Sequence, residues 1–406
     1  MTNWSTRFFL RRKRLKRKFK MFETGSKPIR KRSDAWYEVE SAEDILADIL
    51  SRVPIKSLLA FKSVSKQWRR LIESSTFIKL QLRWSLEKPN YLIYPYMDGL
   101  VNLYQTKGNG EIIEKITLFG CEDIYALSLL CSCNGLLCFI NYPFVPDSNR
   151  ELVYLIDFDI RICNPATHEV YLLPKGSPSE KKISIGVAFG PKPWEYKVFR
   201  FFHPKYDSDD IKCEVYSSIT GSWRGIGDVQ YCPIGILYCP LGSNHVYVNG
   251  KIYWFLPEEG DIITPGSILS VDIEENFKVI SLPDEVTAHA FLVDLEGFLS
   301  LVAVYDDDQV VDVWILHDSN ESNWEKKCSD YVPFSCVDSI NFVAARKTEI
   351  FFITSDQYLI YNLDNGTWTE LDFEDDFESN LPVVLPYTES LLPCNGILGS
   401  EREHNN

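Results

Sequence analysis

Several things are missing from this 406-residue chain, and each absence removes a class of function. No run of about 18 apolar residues occurs, so no segment reads as a membrane-crossing helix. The basic N-terminus is not followed by an apolar run or a small-residue cleavage site, which argues against a secretory signal. No C-x-x-C pair occurs among the 11 cysteines, and the six histidines are scattered, so zinc-ligand spacing is absent. An odd cysteine count without an export signal fits reduced, mostly buried thiols in a cytosolic or nuclear protein. Neither G-x-x-x-x-G-K-[ST] nor G-x-G-x-x-G is found, which removes two common phosphate cradles. The acidic runs Asp207-Asp209-Asp210, Asp306-Asp307-Asp308 and Glu374-Asp375-Asp376 lack the spaced ligands and glycine of a calcium loop. No histidine pairs in sequence with a nucleophile. No catalytic residue, cofactor or metal is expected.

What is present is unevenly charged. Residues 1–33 hold 13 Lys and Arg against one acid, Glu23, giving +12; the other 373 residues hold 29 basic and 56 acidic residues, giving −27. An acidic body is a poor match for phosphate, so nucleic acid is not an expected partner, and neither is a membrane. The runs RRKRLKRKFK (11–20) and KPIRKR (27–32) repel themselves, and Gly25 and Pro28 break any helix, so residues 1–38 read as a disordered basic arm. Its charge and spacing match a bipartite nuclear-import signal, while a solvated tail is the plainer reading. Trp4, Phe8 and Phe9 would suit anionic lipid, a weaker reading still. The expected location is nucleus, cytoplasm or both.

From Glu43 to Leu82 the apolar residues recur at helical spacing. Ile45, Leu46, Ile49, Leu50 and Val53 make one stripe, and Pro54 ends that helix because it lacks an N–H and crowds the preceding turn. A second helix carries Leu58, Leu59, Phe61 and Val64. Ser65 is placed to cap a third with Trp68, Leu71 and Ile72, and Ser75 a last one with Phe77, Ile78 and Leu80. About forty residues with this much apolar surface cannot cover all of it themselves.

From about Ser85 the period changes to two, with aromatic and β-branched residues between turn signals. Strands are expected at 135–142, 151–158, 196–202, 213–218, 245–255, 268–273, 297–305, 311–316, 349–353 and 358–363. Asn249-Gly250 and Asn365-Gly366 are each expected to be primed hairpin turns. A weak repeat, in which a strand runs into a polar turn and then an aromatic, recurs at Tyr171, Trp223, Phe277, Trp324 and Trp368. Units that cannot bury their own faces must stack, which favours a propeller over an irregular double sheet, with six or seven blades at about 45 residues each.

The residues Asp44-Ile45, Ile49-Leu50, Val53-Pro54, Lys56-Ser57-Leu58, Val64-Ser65-Lys66, Trp68-Arg69 and Leu71-Ile72 together resemble an F-box. The later segments Ser132–Cys138, Cys163–Thr167, Glu195–Val198, Glu214–Tyr216, Ser222–Arg224, Val248–Trp254 and Leu391–Asn395 resemble, in this order, the F-box-associated domain of plant F-box proteins. The resemblance implies an α+β multidomain chain: a basic arm (1–38), a helical F-box (39–84), a kelch-like all-β propeller of six or seven irregular blades (85–398) and a disordered tail (399–406). It implies a Skp-type adaptor as partner and, through it, a cullin, with Ile45, Ile49, Leu50, Val53, Pro54, Leu58, Leu59 and Trp68 at the adaptor. The chain would then be a non-catalytic substrate-recognition subunit of a ubiquitin ligase. The family's Leu-Pro before the acidic pair is Ser41-Ala42 here, which points to weaker docking. A scaffold role outside a ligase and an enzyme using the propeller mouth are the alternatives. Recognition is expected on the longest loops, 143–150, 203–210, 257–266 and 305–309, where Phe144, Tyr206, Asp207, Asp209, Asp210, Asp306, Asp307 and Asp308 would meet a protein substrate of basic character.

Overall fold

The computed structural model describes residues 43–87, 90–95, 100–106, 111–120, 124–143, 159–179, 184–204, 210–234, 245–259, 261–286, 289–305, 309–318, 322–333, 340, 342–354, 357–371 and 383–397. The chain divides into two compact units, 1–49 and 50–406. The expected strand at 151–158 lies outside the described residues.

Four helices come first: α1 (43–51), α2 (Ile55–Phe61), α3 (Lys66–Glu73) and α4 (Ser75–Leu86). Pro54 stands at the N-cap of α2, where its missing N–H costs nothing. Ser65 caps α3, its hydroxyl accepting from Trp68 N–H at 3.1 Å. The cap of α4 is Ser74 rather than Ser75: the Ser74 hydroxyl accepts from Phe77 N–H at 3.3 Å. Both serines have the right chemistry; Ser74 takes the extended backbone a cap requires.

Every strand belongs to one of six four-stranded antiparallel sheets. After β1 (Asn90–Tyr94), β2 (Leu100–Thr106) and β3 (Ile112–Gly120), blade 2 is built from β4 (Ile124–Cys133), β5 (Leu136–Pro143), β6 (Asp159–Asn164) and β7 (Glu169–Leu172). Blade 3 holds β8 (Ser184–Phe189), β9 (Tyr196–Phe202), β10 (Lys212–Ser217) and β11 (Ser222–Asp228). Blade 4 holds β12 (His245–Val248), β13 (Lys251–Glu258), β14 (Asp261–Asp272) and β15 (Phe277–Ser281). Blade 5 holds β16 (His289–Leu295), β17 (Phe298–Tyr305), β18 (Val310–Asp318) and β19 (Asn323–Tyr331). Blade 6 holds β20 (Phe342–Arg346), β21 (Glu349–Ile353), β22 (Tyr358–Asn362) and β23 (Thr367–Leu371). The last strand, β24 (Val383–Tyr387), pairs with β1, Leu92 facing Leu385, and so becomes the first strand of blade 1. The ring is closed by its two chain ends. First strands touch first strands around the axis (β24 with β4, β8 with β12, β12 with β16, β16 with β20 and β20 with β24), which places fourth strands at the rim.

Blade faces bury each other. Phe199 and Phe201 of blade 3 pack on Trp254 and Leu269 of blade 4. Leu301 and Trp314 of blade 5 pack on Phe255 and Ile268 of blade 4. Leu92 and Leu103 of blade 1 meet Leu137 and Phe139 of blade 2. Each such side chain contributes about 1.5–3 kcal/mol, so the stack is the main source of stability. The sequence repeat is the hairpin between third and fourth strands. One left-handed residue closes each turn: His168, Gly221, Glu275, Ser322 or Gly366. The aromatic that follows ties the rim to the preceding blade. Trp223 Nε1 donates to Pro174 O at 2.7 Å, Trp324 Nε1 donates to Ser281 O at 2.9 Å, and Phe277 packs on Phe201 with ring centroids 6.3 Å apart.

The six blades fall within the six or seven expected, while two other expectations change. Asn249 and Gly250 have φ of 46° and 85°, as a primed turn requires, but at 365–366 only Gly366 is left-handed. That turn is a four-residue loop in which Gly366 N–H reaches Asn362 O at 2.9 Å and Asn362 Oδ1 accepts from Asp364 N–H at 3.0 Å. The segment 257–266 is not an open loop: Glu258 pairs with Asp261 and Pro257 with Pro265, with register shifts that accommodate its two prolines.

Candidate partner-binding surfaces

On the helices, the eight residues expected at an adaptor separate into three groups. Ile45 and Ile49, one helical turn apart on α1, are 60% and 57% exposed. Pro54 is also exposed, while Val53, Leu59 and Trp68 are half-buried. Leu50 and Leu58 are buried, so in this structure they hold the chain's own core and present nothing to a partner. Trp68 meets Phe61 edge-on, ring centroids 5.6 Å apart, and Arg52 lies over the Trp84 ring at 3.9 Å. A helical stripe shows which residues are apolar together; which half of it faces inward depends on neighbours distant in sequence.

In each blade the turns between first and second and between third and fourth strands lie on one face of the ring, here called the hairpin face. The remaining connections lie on the other. Helices α2–α4 engage the hairpin face. Lys56 Nζ is 2.7 Å from Glu114 Oε1 on β3, Lys79 Nζ lies 5.2 Å from the Trp194 ring centre before β9, and Lys347 Nζ donates to Glu87 O at 2.6 Å.

Residues 388–397 form a strap across that same face, from blade 1 over blade 2 to blade 3. Asn164 Nδ2 donates to Ser390 O at 3.0 Å and Leu392 O at 2.8 Å, while its Oδ1 accepts from Ala166 N–H at 3.0 Å. Tyr196 O–H donates to Cys394 O at 2.6 Å, and Cys394 Sγ donates to Glu169 O at 3.3 Å. Burial pushes the Tyr196 hydroxyl and the Cys394 thiol up, so both stay protonated donors. Gly135, at φ 80°, must be glycine twice over: a Cβ there would lie 2.3 Å from Thr388 O. The motifs at Asn134-Gly135, Asn164-Pro165, Tyr196 and Leu391–Asn395, scattered over 260 residues of sequence, are therefore one contact.

The four acidic loops expected to meet substrate all join second to third strands. The strand ends that carry them lie on the face opposite the helices. Among the described residues Asp210, Glu258 and Glu259 are exposed there. Phe144, Tyr206, Asp207, Asp209, Asp306, Asp307 and Asp308 lie outside the described residues. Nearby, Lys326 bridges Glu285 at 2.6 Å and the buried Asp312 at 2.9 Å, hydrogen bonds that raise its pKa. On the hairpin face Glu275 holds both Lys197, at 2.7 Å, and Arg224. Burial alone would raise its pKa, but the hydrogen bonds and charges of these two cations outweigh it and lower the carboxyl below its ordinary value.

One grouping was not foreseen. Cys131 on β4 faces Cys138 on β5, and His245 of blade 4 hydrogen-bonds Cys131. The two-residue turn at Asn134-Gly135 sets this pairing, three residues back on each strand. Among the described residues no group of three His, Cys, Asp or Glu is placed to hold a metal ion, and no helix is long and apolar enough to cross a membrane.

An exposed isoleucine pair on α1 and, separately, a propeller whose blade faces cover one another suit an interaction protein. Comparison with known proteins gives the family. The F-box domain matches residues 43–80 and the F-box associated beta propeller domain matches residues 109–380, so the chain belongs to the F-box proteins that carry this propeller. The F-box protein At5g49610 of Arabidopsis thaliana is 26% identical over 87% of this chain and 97% of its own length. The F-box protein CPR1 of the same plant is 23% identical over 88% and 90%. A solved chain from a nidogen/laminin complex aligns over 74% of this chain and 99% of its own, with 11% identity and a TM-score of 0.43, too distant to bear on function. An F-box joined to this propeller has a substrate-adaptor role, the F-box implies binding to a Skp-type adaptor, and proteins of this family are typically non-catalytic.

Proposed function

We propose that this chain is the substrate-recognition subunit of a Skp–cullin–F-box ubiquitin ligase, carrying no chemistry of its own. The observation that carries the reading is the pair Ile45 and Ile49, more than half exposed within the segment that matches the F-box domain. Covering two such side chains is worth several kcal/mol, which a partner supplies and water does not. Co-expression with a Skp-type adaptor and a cullin, followed by affinity capture, tests it. Both should be retained by the full chain and lost from Ile45→Asp with Ile49→Asp. A full chain that captures neither would end the proposal.

Substrate is then recruited by the face opposite the helices, where the second-to-third strand connections gather acidic residues. A body of −27 favours a basic protein target and salt-sensitive capture. Neutralising Asp207, Asp209 and Asp210 together should slow association with the true target and leave adaptor binding alone; salt-independent capture by both forms would refute the acidic surface. The basic arm, +12 over residues 1–33, supports a nuclear-import role, which fusion to a fluorescent reporter would test through its nuclear enrichment or even spread.

A further inference from the structure

We propose that Cys131 and Cys138 form a redox couple: Cys131 is the thiol that a peroxide oxidises, and Cys138 closes a disulfide onto it. Three observations support this. The register of β4 against β5 shifts between Leu129 and Cys131, so that Leu129 faces Phe139 and Cys131 faces Cys138. The two-residue turn at Asn134-Gly135 sets this pairing, with Cys133 opposite Leu136 and Ser132 opposite Leu137, and the extra residue Leu130 lies beyond it. As a directly opposed pair, the two thiols share one face of the sheet.

Directly opposed residues on antiparallel strands have Cα atoms about 4.5–5.5 Å apart, inside the disulfide window of roughly 4.4–6.8 Å. The other nearby thiols fit less well. Cys133 shares its strand with Cys131 two residues on, roughly 6.6 Å away along the strand. Cys163 faces Leu137, whose side chain is on the other side of β5.

The second observation is the electrostatic setting of the pair, in which the Cys138 thiol and then His245 favour the Cys131 thiolate. His245 Nε2 accepts from Val187 N–H at 3.4 Å, which leaves the ring proton on Nδ1. The bond from Cys138 favours the Cys131 thiolate, burial opposes it, and His245 adds to the first, so Cys131 titrates below an ordinary cysteine. The same bond and burial push Cys138 up. One thiol is thus set as the nucleophile and its neighbour as a protonated reserve. The third observation is access: Cys131 is half-buried and Cys138 buried, so a small oxidant meets Cys131 first.

The reaction balances with a hydroperoxide as oxidant. The Cys131 thiolate attacks one peroxide oxygen, the O–O bond breaks, and hydroxide leaves, giving the sulfenic acid. The Cys138 sulfur then attacks Cys131, the S–O bond breaks, and water departs with the Cys138 proton. Two thiols are oxidised to one disulfide, and one hydrogen peroxide is reduced to two waters.

The test uses the full-length, fully reduced chain. It is treated with hydrogen peroxide, blocked with N-ethylmaleimide, weighed intact and mapped after chymotryptic cleavage at Leu136 or Leu137. The expected product has lost two hydrogens and carries a Cys131–Cys138 link that holds the cleaved fragments together. Cys133→Ser should keep the link. Cys138→Ser should lose it and accumulate dimedone-reactive sulfenic acid at Cys131, about tenfold above the unchanged protein. The proposal fails if peroxide leaves both thiols open to maleimide, if the link uses another cysteine, or if oxidation of the unchanged protein stops at sulfenic or sulfinic acid on Cys131. The unchanged protein decides these outcomes by itself, so a poorly folding variant does not blunt the test.

Discussion

The helices and the propeller treat apolar surface in opposite ways. Blades 3, 4 and 5 bury their faces against one another, and the rim tryptophans Trp223 and Trp324 fasten one blade to the one before it. The helical segment buries Leu50, Leu58, Ile72, Phe77 and Ile78 but leaves Ile45 and Ile49 outside. A closed ring satisfies itself, whereas a short helical segment has too little volume to do so. Under the proposed function, the exposed Ile45 and Ile49 are where the adaptor docks.

The largest expected effect tests whether the ring is self-sufficient without its strap. Removing residues 388–397 takes away the buried Leu392 and Cys394 and leaves Asn164 without two acceptors. The loss should be roughly 5 kcal/mol or more from burial and hydrogen bonds together. Thermal unfolding would show it as a large fall in Tm or an insoluble product; an unchanged Tm would mean the strap is decoration. Next is Leu58→Ala, which should cost about 2–5 kcal/mol because it opens a cavity, against under about 0.5 kcal/mol for Ile49→Ala on the surface. Urea titration measures both. Adaptor affinity should rank the folded variants the other way, with Ile49→Ala the weaker binder.

Gly135→Ala should cost about 1–3 kcal/mol in backbone strain, and more if the strap must shift, again read by urea titration. Gly250→Ala, at the blade 4 hairpin where a Cβ meets nothing, should lose only the strain. The smallest effect is at Glu275. Its pKa is lowered in the folded chain, so the stability it contributes is present above the unfolded carboxyl value, about 4.3, and fades as pH falls through the lower folded value. Glu275→Gln should therefore cost up to about 1 kcal/mol at pH 7, and the gap to the unchanged protein should close in acid. A gap that persists at low pH would assign the loss to packing rather than charge.

Local chemistry made much of this legible in the sequence. The helical stripe, the Ser65 cap, the Asn249-Gly250 hairpin and the aromatic after each polar turn follow from properties of one residue and its near neighbours. The first three strands were less legible, because strands such as β3, with Glu114 and Lys115 in its middle, show little of the aromatic-rich pattern. Distance in sequence hid the rest. Which isoleucines stay outside and why Asn164 and Leu392 must coexist depend on residues brought together by packing and ring closure, whereas Cys131 meets Cys138 through the local turn at Asn134-Gly135. Periodicity fixes which side chains lie together on an element; only packing between elements decides which side becomes interior, and one inserted residue at Leu130 is enough to reverse it.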